Sequence, residues 1–282
     1  MILKRDEPLA PRTSYRIGGT AEYFFIPERM EEVPQAMSYC RAKGLDLRVL
    51  GGGTNVLVGD RGWPAVLSLE RFKHTDAFGP FAKAEAGASF PAFVKKLADN
   101  SSKGAEALCG IPGTVGGALL MNAGGHYGEI GEFVKRVKVV EADGRIVSLD
   151  REQCGFRYRE SDLKNRIILS ADFEFSEGDR EEIRTRMRDI FQKKKASQPL
   201  HSHSAGCVFK NPPGLSAGRM IDECGFKGTR IGGAAVSVLH ANFLTNDDDA
   251  SASDMLELIS RIQGQIKERH GVELELEIKV WS

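Results

Sequence analysis

The segment HSHSAGCVFKNPPG, residues 201–214, concentrates side chains that can do chemistry. His201 and His203 stand one residue apart, and Cys207 follows between Gly206 and Val208. Four roles are open to Cys207. As a metal ligand beside the two histidines it needs a further cluster, and HxH-x3-C alone is a weak spacing. As a nucleophile it needs an orienting third group and an acyl-type substrate. As a buried thiol it fills space. As an acid it delivers a proton, and its reference pKa of about 8.5 makes it far stronger than a serine hydroxyl.

Two other positions carry charge suited to a reaction. In FRYRES, residues 156–161, Arg159 offers a planar fork that matches a carboxylate; the plain alternative is a surface ion pair with Glu160 or Asp162. In VELELEIKV, residues 272–280, Glu277 is one of three acids on one side of an alternating pattern, where a solvated face is the plain reading. Glycine is the third ingredient. RIGG (16–19), GGGTNVL (51–57) and GIPGTVGGA (110–118) bring peptide groups close to something, as an anion or a flat ligand requires. Their spacing fits neither a dinucleotide-binding GxGxxG nor a phosphate-binding GxxxxGK[ST], and the plain alternative is tight turns and small-residue packing.

These groups need a scaffold, and periodicity predicts one. Strands are expected at 21–27, 45–50, 65–69, 166–175, 234–239 and 272–280, with a hairpin over 137–149 turning at Asp143-Gly144. Helices are expected at 31–44, 89–100 with Ser89 as N-cap, 179–199, near 216–224, and 253–271 ended by Gly271. In the last, Met255, Ile259, Ile262 and Ile266 form an apolar stripe. The order is α+β with hairpins rather than a regular β-α-β array, with boundaries expected near 70 and 197.

Composition narrows the class. A chain of 282 residues fits two or three packed domains. Apolar residues are 41% and charged residues 28%, as in soluble globular proteins. Acids and bases balance at 39 each, so no long-range field favours nucleic acid or an anionic membrane. No apolar run is long enough to span a membrane, and MILKRDEPLAPRTSY is no signal peptide. Five scattered cysteines, at 40, 109, 154, 207 and 224, suggest reduced thiols in a cytoplasm.

Taken in order, TSYRIGGTAEYFF, VLGGGTNVLV, GIPGTVGGALLMNAGG, FRYRES, SAGCVFKNP, NFLTN and the final VELELEIKV resemble the UDP-N-acetylenolpyruvoylglucosamine reductase family in its shorter, type II form. The likeness runs from about residue 12 to 279. It implies a two-part FAD-binding fold of the vanillyl-alcohol-oxidase/PCMH type, with subdomains at 1–70 (joined by 271–282) and 71–196, and a C-terminal α+β substrate-binding domain at 197–270. It implies FAD held non-covalently, NADPH as hydride donor, and a small-molecule substrate, UDP-N-acetylglucosamine enolpyruvate, with no nucleic acid, metal or membrane partner.

By the same resemblance the flavin would be lined by Arg16, Ile17, Gly18 and Gly19, and by Gly51, Gly52, Gly53, Thr54, Asn55, Val56 and Leu57. Gly110, Ile111, Pro112, Gly113, Thr114, Gly116, Gly117, Ala118 and Asn122 would complete that lining. Arg159, Cys207 and Glu277 would be catalytic. Lys210, Asn211 and Arg219 would meet the substrate, and an aromatic contact could come from His126 or Tyr127. Most family members carry serine where this chain has Cys207, and proline and valine flank the family's glutamate where Leu276 and Ile278 flank Glu277. A carboxyl beside a substrate carboxylate would be driven towards its protonated form and could then donate a hydrogen bond. The alternatives are a sugar or lactone oxidase of the same FAD fold, or a nucleotide-sugar binding protein without turnover.

Overall fold

The computed structural model describes residues 1–282 as two units. The first comprises residues 1–5, 23–52 and 64–194; the second comprises 6–22, 53–63 and 195–282. The last change of unit along the chain falls between residues 194 and 195. Leu67, Leu69 and Phe72 share one apolar core with Ala82, Phe90 and Phe93, which keeps the two sides of residue 70 together.

In the first unit an antiparallel five-stranded sheet runs in the order 146–150, 134–140, 167–174, 81–85, 75–78. The predicted hairpin is present, and its turn closes with Glu141 N–H donating to Arg145 O at 2.9 Å and Gly144 at φ +91°. The free edge, Thr75–Phe78, is blunted: Lys96 Nζ takes the Thr75 carbonyl and Asp76 takes the Ala77 N–H at 2.9 Å. A four-stranded sheet holds Ile2–Pro8, Thr20–Ile26, Trp63–Ser68 and Leu47–Leu50 in that order. Helix α1 is Glu32–Ala42, and α2, Phe90–Asp99, starts at Ser89, whose hydroxyl accepts from Ala92 N at 3.4 Å. Phe90, Phe93, Val94 and Leu97 of α2 are buried, and Phe93 packs on Phe173 with ring centroids 5.2 Å apart. Helix α3 is the short Val115–Leu120, and the charged α4 is Arg180–Ser197.

The second unit is built on α6, Ala252–His270, with α5 at Ala217–Glu223. Ser251 and Asp254 form a reciprocal cap at the start of α6, and Gly271 ends it at φ +66°. The predicted stripe of α6 is buried with Tyr15, Ile17, Leu57, Val208, Phe209 and Ile278. A small antiparallel sheet joins Arg230–Ile231, Ala234–Val236 and Leu244–Asn246, so the strand expected over 234–239 is only three residues long.

The segment 272–280 departs from the expected continuous strand. Its alternation holds, with Leu274 and Ile278 buried and Glu273 and Glu275 exposed, but only Lys279–Trp281 joins a ladder, parallel to Val56–Val58. Before that it bonds to a different segment, since Lys210 N–H donates to Glu275 O at 2.9 Å and Glu277 N–H to Val208 O at 2.8 Å. The segment changes partner midway, which a period-2 pattern cannot reveal.

Candidate active site

Cys207 lies in an irregular loop, so its position is set by hydrogen bonds rather than by a regular element. Asn242, buried, clamps the next two residues. Its carbonyl accepts from Val208 N–H at 2.8 Å, its side-chain oxygen accepts from Phe209 N–H at 2.9 Å, and its amide nitrogen donates to Phe209 O at 2.8 Å. Cys207 itself bridges Phe243 in antiparallel fashion. The bond from Glu277 N–H to Val208 O then brings the acid's segment beside the thiol's segment. Asn55 ties in from the glycine turn: its amide donates to Glu277 O at 3.2 Å, and its carbonyl accepts from Lys279 N–H at 2.9 Å.

Beneath this loop sits Tyr15, 1% exposed, with its carbonyl held by Asn246 Nδ2 at 2.9 Å. Burial pushes the Tyr15 hydroxyl's pKa well above its ordinary value, and Cys207 adds to the shift in the same direction. Asn242, Asn246 and Tyr15 were carried only as letters of the NFLTN and TSYRIGG stretches. Buried asparagines with both amide ends engaged are found by three-dimensional pairing, for which sequence has no periodic signal.

His201 and His203 are exposed, and His203 meets Asn246 through the main chain, its carbonyl accepting from Asn246 N–H at 2.9 Å. Lys210 pairs with Glu275 at 3.2 Å. Asn211 is exposed, and its side-chain oxygen accepts from Ala217 N–H at 3.0 Å at the start of α5. Arg219 stands apart on the outer face of α5, its side chain 81% exposed and paired with Glu223 at 2.8 Å.

The first unit holds Arg159. It has φ +55°, a left-handed conformation rare for a residue with a side chain. The expected partners Glu160 and Asp162 go instead to Arg157, at 3.8 and 2.7 Å. Arg159 pairs with Glu129, with Nη1 and Oε1 3.7 Å apart, and its guanidinium lies over the Tyr158 ring at 4.9 Å. Lys194 is the nearby second cation. Its Nζ donates to Cys109 O at 2.5 Å, and burial lowers its pKa, with Arg159 contributing in the same direction.

The glycine stretches divide between the units. In the first, a methyl group on Gly51 would lie 2.7 Å from Thr114 Oγ1, and one on Gly52 would lie 2.8 Å from Gly113 Cα. The turn at Gly51-Gly52 and the loop Gly110–Ala118 therefore meet backbone to backbone, with Thr114 capping Gly117 N–H at 3.4 Å. In the second, Gly53 has φ +64°, and an added methyl would meet Arg12 O at 2.1 Å. Gly18, at φ +138°, packs on Val58, and Gly19 N–H donates to Gly59 O at 3.0 Å. Ile17 is buried and its carbonyl accepts from Thr13 Oγ1, while Arg16 is exposed. In the first unit, the exposed peptide groups of Gly51, Gly52 and Gly117, with the half-buried Lys194 against Gly110, suit the phosphates of a flavin dinucleotide. Asn122 is buried. Its amide is spent inside the protein, on Glu129, Arg157 O and Gly131 N–H. His126 and Tyr127 form the exposed tip of a hairpin, their rings 5.3 Å apart.

Comparison with known proteins places both parts of the chain in described families. Residues 21–150 match a family described as FAD binding domain, and residues 198–281 match one described as UDP-N-acetylenolpyruvoylglucosamine reductase, C-terminal domain. The UDP-N-acetylenolpyruvoylglucosamine reductase of Alkaliphilus metalliredigens is 40% identical over 279 residues, 98% of this chain and 92% of the relative. The enzyme of the same name from Lachnoclostridium phytofermentans is 38% identical over 284 residues, 98% and 91% of the two chains. Among solved structures, UDP-N-acetylenolpyruvylglucosamine reductase from Thermus caldophilus superposes with a TM-score of 0.86 at 37% identity, covering 100% of this chain and 98% of that one. 6-Hydroxy-D-nicotine oxidase from Arthrobacter nicotinovorans shares the FAD-binding fold alone, with a TM-score of 0.53 at 16% identity over 62% of this chain and 42% of that one.

Proposed function

The chain belongs to the UDP-N-acetylenolpyruvoylglucosamine reductase family, an FAD-containing oxidoreductase family, and we propose that it reduces the enolpyruvyl double bond of UDP-N-acetylglucosamine enolpyruvate to give UDP-N-acetylmuramate, with NADPH as the hydride source. The observation that supports this reading is the hydrogen bond from Glu277 N–H to Val208 O, which sets the segment of Glu277 against the segment that carries Cys207 in the second unit. FAD, when bound, would supply the hydride chemistry between NADPH and the β-carbon of the enolpyruvyl ether.

The residues of the chain supply the rest. An alkene accepts a hydride only if its electron pair can move into the adjacent carboxylate. Arg159 is the cation that meets this carboxylate, and Glu277 is the second group at that end. The Cys207 thiol then protonates the α-carbon, the new C–H bond forms as S–H breaks, and the thiolate regains its proton from solvent. Gly18, Gly19, the turn 51–55 and the loop 110–118 would hold the flavin with peptide groups, while Lys210 and Asn211 would meet the sugar nucleotide. The product is a peptidoglycan precursor, so the reaction belongs to cell-wall biogenesis and bears on cell shape and division. A cytoplasmic setting accords with the five free thiols and with NADPH.

The purified protein is expected to be yellow, and to oxidise NADPH under anaerobic conditions only when the enolpyruvyl UDP-sugar is added, one equivalent for one. Colourless protein, or NADPH oxidation that needs oxygen instead of the sugar nucleotide, would overturn the assignment.

A further inference from the structure

A guanidinium that receives a carboxylate must be aimed, and Arg159 starts from an awkward backbone. A left-handed φ at a residue with a Cβ costs about 1 kcal/mol, so something must hold the local conformation. The side chain is mostly buried, 16% exposed, and the carboxylate that faces it is Glu129. The two oxygens of Glu129 divide their work. Oε1 lies 3.7 Å from Arg159 Nη1, and Oε2 accepts from Asn122 Nδ2 at 2.6 Å. Asn122 is 3% exposed and is itself anchored at both ends, donating to Arg157 O at 3.0 Å and accepting from Gly131 N–H at 3.0 Å. The relay Arg159–Glu129–Asn122 thus closes on the main chain two residues before Arg159.

We propose that Glu129 is the positioning residue for Arg159: pinned by Asn122, its carboxylate holds the guanidinium in the orientation that receives the carboxylate of the substrate. The inference rests on the reading of Arg159 given above. At 3.7 Å the contact is an ion pair longer than a hydrogen bond. It aims the guanidinium by charge without binding it as tightly as a bidentate pair would, so a substrate carboxylate can take over the fork. A carboxamide of the same shape keeps the packing and the bond to Asn122 but removes the attraction. Glu129 touches no reacting atom, and its effect must pass through Arg159.

The test compares Glu129→Gln, Glu129→Asp, Arg159→Ala and the double variant Glu129→Gln/Arg159→Ala as holoenzymes. Reduction of the flavin by NADPH, and its reoxidation by the enolpyruvyl UDP-sugar, are followed separately by anaerobic stopped flow. Misaiming a catalytic group by about 1 Å costs roughly 100-fold, so Glu129→Gln is expected to slow reoxidation about 10- to 100-fold while reduction changes far less. Glu129→Asp, which keeps the charge, should recover part of the loss. The double variant should reoxidise no more slowly than Arg159→Ala alone, because the partner through which Glu129 acts is gone.

Losses that multiply in the double variant, wild-type reoxidation in Glu129→Gln, or loss of FAD in both Glu129 variants would each overturn the proposal. Wild-type reoxidation in Arg159→Ala is a separate result, and it would remove the role of Arg159 itself.

Discussion

At the scale of single residues, the proposed chemistry turns on three side chains, Arg159, Cys207 and Glu277. Cys207→Ser keeps an O–H donor in the same loop and is expected to retain substantial turnover. Cys207→Ala should still be reduced by NADPH, but its reoxidation should fall by about 10²- to 10⁴-fold, the usual weight of a positioned acid; equal loss in the two half-reactions would refute the role. Gly53→Ala puts a methyl against Arg12 O at 2.1 Å and forces a side chain into φ +64°. The strain of the left-handed backbone alone is about 1–2 kcal/mol, so FAD retention after gel filtration and thermal stability should both fall. The residue types and their order along the chain were legible from sequence, since the stretches around Arg159, Cys207 and Glu277 resemble one family. The partners were not. Glu160 and Asp162 sit close to Arg159 in sequence yet serve Arg157, while the left-handed Arg159 pairs with Glu129, thirty positions earlier. Neither that φ nor the relay through Asn122 leaves a periodic trace.

At the scale of elements, patterning was a good guide where an element is continuous. Helix α6 appears where its stripe and caps placed it, as do α2 and the 134–150 hairpin. Ser251→Ala removes the hydroxyl that accepts from Asp254 N–H at 3.0 Å and should lower stability by about 1 kcal/mol in urea titrations. The Ser251 peptide N–H, and then its hydroxyl, hold the Asp254 carboxyl below its ordinary pKa. A depressed folded-state pKa means that this contribution is complete above the unfolded value of about 3.9 and is lost as pH falls through the lower folded value. Between pH 6 and pH 3, wild type should therefore lose more stability than Asp254→Asn; equal losses would exclude the cap as the source. Patterning was a poor guide where one segment serves two neighbours. Residues 272–280 alternate like a strand, but they bond first to 208–210 and then to 55–58. That change of partner is what puts Glu277 beside Val208, so the part of the segment least visible in sequence is the part that carries the proposed catalytic acid.

At the scale of the whole molecule, the two units are interleaved along the chain, with crossings after residues 5, 22, 52, 63 and 194. The core of the second unit needs Tyr15, Ile17 and Leu57 as well as α6. A fragment of residues 195–282 is therefore expected to lack a cooperative thermal transition, although it contains the whole matched C-terminal domain, 198–281. A sharp far-ultraviolet melt of that fragment would contradict this. No helix is long and apolar enough to cross a membrane. The parallel pairing of Lys279–Trp281 with Val56–Val58 has a consequence for how the protein is made. On a translating ribosome the early strand emerges long before its partner exists, so Val56, Leu57 and Val58 must wait, apolar and unpaired, until residues 279–281 have been made. All residues of the first unit are made before 279–281, so it can begin to fold during translation, while the second can pair these two strands only once residues 279–281 have emerged.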